Sequence, residues 1–265
     1  MDNNNQLTEG TAMAKRRSQE EQQQNLQMIT NNIDAINRGP QKKKWTKHDL
    51  RNVQPLTENQ QAMFRQYYQG DQLCVYGSAG TGKSFLSLYL AMCDIIDPNR
   101  PQNRLILIRS AVPTRDLGFM PGTYEEKTRM YEVAYVDLFA ELFNRVSTYD
   151  DLKTAGLVRF MTTSYLRGLT WDNSIIVVDE CQDMTYHELN TVMTRVGRNS
   201  RVLFAGDHAQ NDLHSKKNGD RSGIERFLRT IKLMPEFTTV QFGPQDIVRS
   251  DLVRSWIIAS EQTRD

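Results

Sequence analysis

Gly77-Ser78-Ala79-Gly80-Thr81-Gly82-Lys83-Ser84 follows the short apolar run Leu73-Cys74-Val75-Tyr76 and opens the apolar-periodic stretch Phe85, Leu86, Leu88 and Leu90. Strand, G-x-x-x-x-G-K-[ST] and helix in that order make a phosphate-binding loop, which predicts an α/β fold that binds a nucleoside triphosphate. The glycines let successive backbone N–H groups close around phosphate oxygens at a helix N-terminus. Lys83 is then placed to reach the β- and γ-phosphates, and the Ser84 hydroxyl to ligate Mg²⁺.

Outward from this loop, strand-like apolar runs at 73–76, 105–108, 158–161, 175–178 and 202–205 alternate with helical stretches at 131–145, 186–196 and 223–228 and with the helix after the loop. That alternation is the mark of a mostly parallel sheet flanked by helices. The run Ile175-Ile176-Val177-Val178 ends in Asp179-Glu180, as expected when a buried strand delivers carboxylates to the sheet edge where α/β ligands bind. Asp179 is expected to hold Mg²⁺, and Glu180 to orient and polarise an attacking water, so the pair points to hydrolysis as well as binding. A plainer reading makes the two acids caps for the helix that follows.

The next run, Val202-Leu203-Phe204-Ala205, leads into Gly206-Asp207-His208-Ala209-Gln210, so Gln210 is a candidate sensor of the γ-phosphate or of the water. Upstream, Leu56-Thr57-Glu58-Asn59-Gln60 lies one helix length before the loop, where the Gln60 amide could read an adenine edge. A small-molecule kinase would also use the loop, but paired acids with a glutamine suit water activation better than phosphorylation of an acceptor.

The chain has 265 residues and a net charge of +1, which excludes a polyanion-binding surface spread over the whole molecule and leaves only local ones. Residues 1–48 are rich in Asn, Gln, Lys and Glu and are expected to form a flexible polar tail, with the folded domain at 49–265. The basic cluster Lys42-Lys43-Lys44-Trp45-Thr46-Lys47-His48 could neutralise phosphates and stack on a base, or serve simply as a solvated linker. On the first view, deleting 1–47 weakens nucleic-acid affinity and leaves basal turnover intact. Cys74, Cys93 and Cys181 are scattered and apolar-flanked, so they read as reduced structural thiols. No apolar run approaches the ~18 residues of a membrane span, and the polar N-terminus is unlike a signal sequence, so a cytoplasmic protein without membrane contact is expected.

Together these pieces resemble the PhoH family, whose ATPase domain is related to the motor core of superfamily 1 helicases. The resemblance also runs through Ile108-Arg109-Ser110-Ala111-Val112, Leu117-Gly118-Phe119-Met120-Pro121-Gly122, Glu125-Glu126-Lys127, Ser164-Tyr165-Leu166-Arg167-Gly168, Asp179-Glu180-Cys181-Gln182-Asp183, Ser222-Gly223 and Asp246-Ile247-Val248-Arg249. Cys181, Asp183 and Ser110 depart from the usual Ala, Asn and Pro without removing a chemical role. The resemblance implies one RecA-like core that hydrolyses ATP with Mg²⁺, links to RNA unwinding and metabolism, and a place among stand-alone bacteriophage copies. It makes Gln60 an adenine contact, residues Gly77 to Ser84 the phosphate loop, Lys83 and Glu180 catalytic, and Gln210 the γ-phosphate sensor. Related helicases supply an arginine from a second RecA-like domain, and too few residues follow Gln210 for one. Arg249 or Arg254 is therefore expected to act in trans within a ring or other homo-oligomer. RNA is favoured over DNA as partner, and an ATP-gated assembly module without motor action is the alternative.

Overall fold

Thr57 and Gly70 bracket the first helix by opposite devices. The Thr57 side chain accepts from the Gln60 N–H at the start of α1 (Glu58–Gln69), and Gly70 ends it in the left-handed region at φ 103°. The computed structural model describes residues 45–110, 124–166, 168–207 and 223–263, the side chains of 124–127 excepted. Segment 1–44, on which most of the tail reading falls, lies outside the described residues.

After α1 come β1 (Gln72–Gly77) and α2 (Lys83–Ile95), with the phosphate loop between them. Then follow β2 (Arg104–Arg109), α3 (Tyr124–Phe143), α4 (Thr148–Thr154), β3 (Val158–Thr162) and β4 (Ser174–Asp179). The chain continues through α5 (Tyr186–Met193), β5 (Arg201–Gly206), α6 (Ile224–Ile231), β6 (Phe237–Phe242) and α7 (Asp251–Gln262). The six strands form one sheet in the order β3-β2-β4-β5-β1-β6, and each pairing is parallel. All six C-terminal ends therefore lie on one edge, and β5 separates the loop-bearing β1 from the acid-bearing β4.

Side chains that alternate along the strands divide the core into two layers. Leu73, Val75, Leu105, Leu107, Ile175, Val177, Leu203 and Ala205 join Met63, Leu88, Leu90 and Phe139 on one face. Cys74, Ile106, Ile108, Ile176, Val178, Val202 and Phe204 join Leu189, Val192 and Phe227 on the other. All three cysteines are free thiols. The far end of the sheet is pinned by Arg201, which bonds to Asp94, to the carbonyls of Tyr67 and Asp71, and stacks 3.8 Å from the Tyr67 ring centre. Tyr67 donates to the same buried Asp94 at 2.8 Å, so the carboxylate is compensated on several sides.

The predicted α/β class with a parallel sheet is what the structure has. Five strands lie within one residue of the predicted runs at each end. The edge strand β6, α4 and α7 were not predicted, and α3 starts seven residues before the expected 131. The aromatic of the basic cluster is a correction: Trp45 is 6% exposed and meets Phe143 edge-on at 5.2 Å, so it belongs to the core and presents no face to a base. Lys47 in turn pairs with Asp97 at 2.7 Å. The folded part thus reaches back at least to Trp45, and a deletion of 1–47 would cut into it. Trp45→Ala is expected to lower the unfolding free energy by about 3 kcal/mol, the usual cost of truncating a buried tryptophan, as measured by urea denaturation.

Candidate active site

Gly77 closes β1 at φ 126°, and a Cβ there would lie 1.9 Å from the Phe242 carbonyl oxygen, so only glycine allows the chain to leave β1 alongside β6. Gly80 and Gly82 also have positive φ, 69° and 85°, and α2 begins at Lys83 directly after them. This turn aims first-turn N–H groups, with the positive end of the helix, into the space between the loop and the sheet edge, which suits a polyphosphate. Ser78, Thr81 and Lys83 are buried. The Lys83 ammonium donates to the Gly77 and Ser78 carbonyls at 2.9 and 2.7 Å and to Thr81 Oγ1 at 3.4 Å. Burial lowers its pKa, while the charges of Asp207, Glu180 and Asp179 oppose that shift.

Asp179 ends β4 facing this loop. Its Oδ1 accepts from Ser84 Oγ at 2.6 Å and its Oδ2 from the Tyr135 hydroxyl at 2.8 Å. Burial and the neighbouring Glu180 push its carboxyl pKa up, against the hydrogen bonds from Ser84 and Tyr135 and the charge of Arg109. The Ser84 hydroxyl and Asp179 carboxylate are hard oxygen donors that touch each other beside the phosphate loop, and they fit Mg²⁺, which takes one or two protein oxygens and completes its shell with water and phosphate. Glu180 follows in the left-handed region, φ 51° and ψ 44°. A non-glycine residue held there is strained by roughly 1 kcal/mol or more. Gln182 steadies it: its amide donates to Glu180 Oε2 at 2.6 Å and accepts from the Asp207 N–H at 2.9 Å, tying the end of β4 to the end of β5.

Gln60 is buried, and its amide donates to the Thr81 carbonyl at 3.1 Å and accepts from the Leu56 N–H at 2.7 Å. It braces the phosphate loop, and the base-reading expectation must draw on the remaining hydrogen-bonding capacity of the amide. It also lines a cavity of about 400 Å³ with Gln54, Leu56, Gly82, Val248 and Arg249, large enough for a purine. Gln210, His208 and Arg167 lie outside the described residues.

Arg249 is reached through the turn that follows β6. Asp246, buried and bonded to Asn59 and to the Gly243 N–H, turns the chain after β6 back toward α1. The Val248 N–H then donates to the Gly80 carbonyl at 3.1 Å, and Arg249 Cγ lies 2.9 Å from where a Gly80 Cβ would stand. Arg249 therefore lies over the phosphate loop of its own chain, and Arg254 is exposed on α7. The same helix sets Ile257 against Gly80 and Glu261 Oε2 3.2 Å from Ser78 Oγ. Neither Tyr135, Gln182 nor Glu261 was singled out from the sequence. Gln182 alone had a local signal, its place two residues after the acidic pair.

Comparison with known proteins gives these residues a setting. A sequence model of the family described as PhoH-like protein matches residues 52–261. A PhoH-like protein of Synechocystis sp. is 31% identical over 214 residues, covering 80% of this chain and 63% of its own length. Protein PhoH2 of Bacillus subtilis is 34% identical over 158 residues, 57% of this chain and 36% of its own. This chain thus spans less than two thirds of the length of these relatives. Among solved structures, the large terminase of a thermophilic bacteriophage in complex with ADP aligns over 76% of this chain and 49% of its own, with 13% identity and a TM-score of 0.44.

The carboxylate of Glu261 on the phosphate loop opposes an incoming polyanion. Glu261→Gln is expected to tighten triphosphate binding about fivefold, the roughly 1 kcal/mol that two unit charges 4 Å apart exert in water. A fluorescent-nucleotide titration measures it, and an unchanged Kd would mean that Glu261 keeps clear of the phosphates.

Proposed function

The chain belongs to the PhoH-like family, and from that premise we propose that it is a Mg²⁺-dependent ATPase whose turnover is coupled to a nucleic acid, RNA in preference to DNA. The observation that carries the reading is the contact of the Ser84 hydroxyl with the Asp179 carboxylate at 2.6 Å, with Glu180 next in the chain. A loop that only cradled phosphate would not need two acids at its mouth.

In this reading Ser84 and Asp179 hold Mg²⁺, which when bound neutralises charge on the β- and γ-phosphates. The loop Gly77, Ser78, Ala79, Gly80, Thr81, Gly82 donates its N–H groups to the phosphates. Lys83 exchanges its carbonyl partners for phosphate oxygens, and because its three donors rotate on a flexible stem, the exchange needs no backbone movement. Glu180 accepts a proton from water as the water oxygen bonds to the γ-phosphorus and the bond to the β-bridging oxygen breaks, leaving ADP and inorganic phosphate. Gln182 keeps the Glu180 carboxylate aimed while this happens. Gln210 senses the γ-phosphate, and Gln60 with the cavity beside it takes the adenine, Arg249 covering the loop from the other side. Arg254 completes the cleft of a neighbouring copy in a head-to-tail homo-oligomer, a reading supported by its exposure on α7. Among the described residues no helix is long and apolar enough to cross a membrane.

A second reading, an ATP-gated assembly module, is supported by α7 itself. The helix contacts the phosphate loop on one side and leaves Leu252 and Trp256 81% and 73% exposed on another, so nucleotide binding could be relayed to a partner. Steady-state hydrolysis with and without single-stranded RNA or DNA separates the two. Coupling predicts turnover that rises with RNA more than with DNA; turnover indifferent to both favours the module. Glu180→Gln is expected to lower kcat by about 10² or more while ATP still binds, and activity surviving in that variant would remove Glu180 from the chemistry.

A further inference from the structure

We infer that Tyr135 is a positioning residue for the metal-binding carboxylate, an inference that rests on Asp179 and Ser84 holding the metal ion. Tyr135 sits midway along α3, 1% exposed, among aromatic neighbours such as Phe160 at 5.8 Å between ring centres. A phenylalanine would fill that volume equally well, so packing alone does not call for the hydroxyl. Burying a hydroxyl is unfavourable unless it is bonded, and here its hydrogen goes to Asp179 Oδ2 at 2.8 Å. The Asp179 carboxylate is thereby held from both sides, Tyr135 on Oδ2 and Ser84 on Oδ1. With one oxygen clamped, the side chain keeps the rotamer that turns the other toward the phosphate loop.

The clamp has a further link. Arg109 ends β2 opposite Asp179 in the strand register and is half-buried, and its positive charge acts on Tyr135 and on Asp179 alike. Outer partners of this kind orient a ligating group, and their loss weakens metal binding about 10- to 100-fold.

The test is Tyr135→Phe, read by titrating Mg²⁺ into protein with a fluorescent ADP analogue, beside the same nucleotide titration in EDTA and a thermal unfolding curve. The expected result is a Mg²⁺ half-saturation concentration raised about tenfold with nucleotide affinity in EDTA unchanged. A folded variant with unaltered Mg²⁺ half-saturation overturns the inference, and so does an equal loss of nucleotide affinity with and without metal, which a packing role would produce. Tyr135→Met removes the same hydroxyl with a flexible apolar side chain in place of the ring. It is expected to shift the Mg²⁺ half-saturation in the same direction, and if Tyr135→Phe does not fold, an unchanged value in Tyr135→Met overturns the inference. Wild-type protein whose nucleotide binding ignores Mg²⁺ overturns the metal site along with the inference, and that outcome is recognised before any substitution is made.

Discussion

The hydrogen bond from Ser84 to Asp179 joins residues 95 apart in the chain, and the candidate site depends on it. It spans β5, which lies between β4, ending in Asp179, and β1, which leads into the loop and the helix bearing Ser84, so it forms only if β5 ends low enough to let the side chains meet above it. Gly206 ends that strand, and a Cβ there would come within 2.6 Å of Cys181 Sγ and 2.8 Å of Gln182 Oε1. A larger residue would push the segment after β4 away and separate the acid from the phosphate loop. The parallel order does the rest, because it brings the C-terminal ends of β1, β2, β4 and β5 to the same edge.

Charge is concentrated at that edge. Asp179, Asp207 and Lys83 are buried together there, and burial disfavours the charged forms of acids and lysine alike. The carboxylate of Asp179 is balanced mainly by hydroxyl groups and by Arg109, which leaves the lysine bonded to neutral carbonyls and available to a stronger acceptor. The strained backbone at Glu180 belongs to the same arrangement. It follows a strand buried at all six positions, a support rigid enough to hold one residue in the left-handed region, and the Gln182 amide fixes where the carboxylate points.

The segment after β6 forms the other wall of the cleft. Asp246 anchors it to α1, Val248 bonds to the phosphate loop, and α7 places Glu261 against Ser78. A segment that contacts the loop through one backbone hydrogen bond, one carboxylate, one arginine stem and one isoleucine is held by few contacts, which suits an element that shifts as nucleotide binds. Its outer side chains, Leu252 and Trp256, would carry such a shift to whatever covers them.

Much of the fold was legible locally. The glycine pattern, the alternation of apolar runs with helical stretches, and the acids after 175–178 were sufficient for the class and the parallel sheet and pointed to the candidate site, because each reflects a short-range rule of backbone freedom or periodicity. The strand Phe237-Thr238-Thr239-Val240-Gln241-Phe242 carries an aromatic and β-branched signal of its own, whereas α7, largely exposed, has little apolar periodicity to announce it. A phosphate loop and an acidic pair at the ends of buried strands can be read from the chain locally. That Trp45 is core, that Arg249 lies over its own chain's loop, and that Tyr135 and Gln182 bond to Asp179 and Glu180 follow only from the folded arrangement. Those assignments depend on which distant segments meet across the sheet edge, and side-chain contacts between residues tens of positions apart leave no periodic trace in the chain.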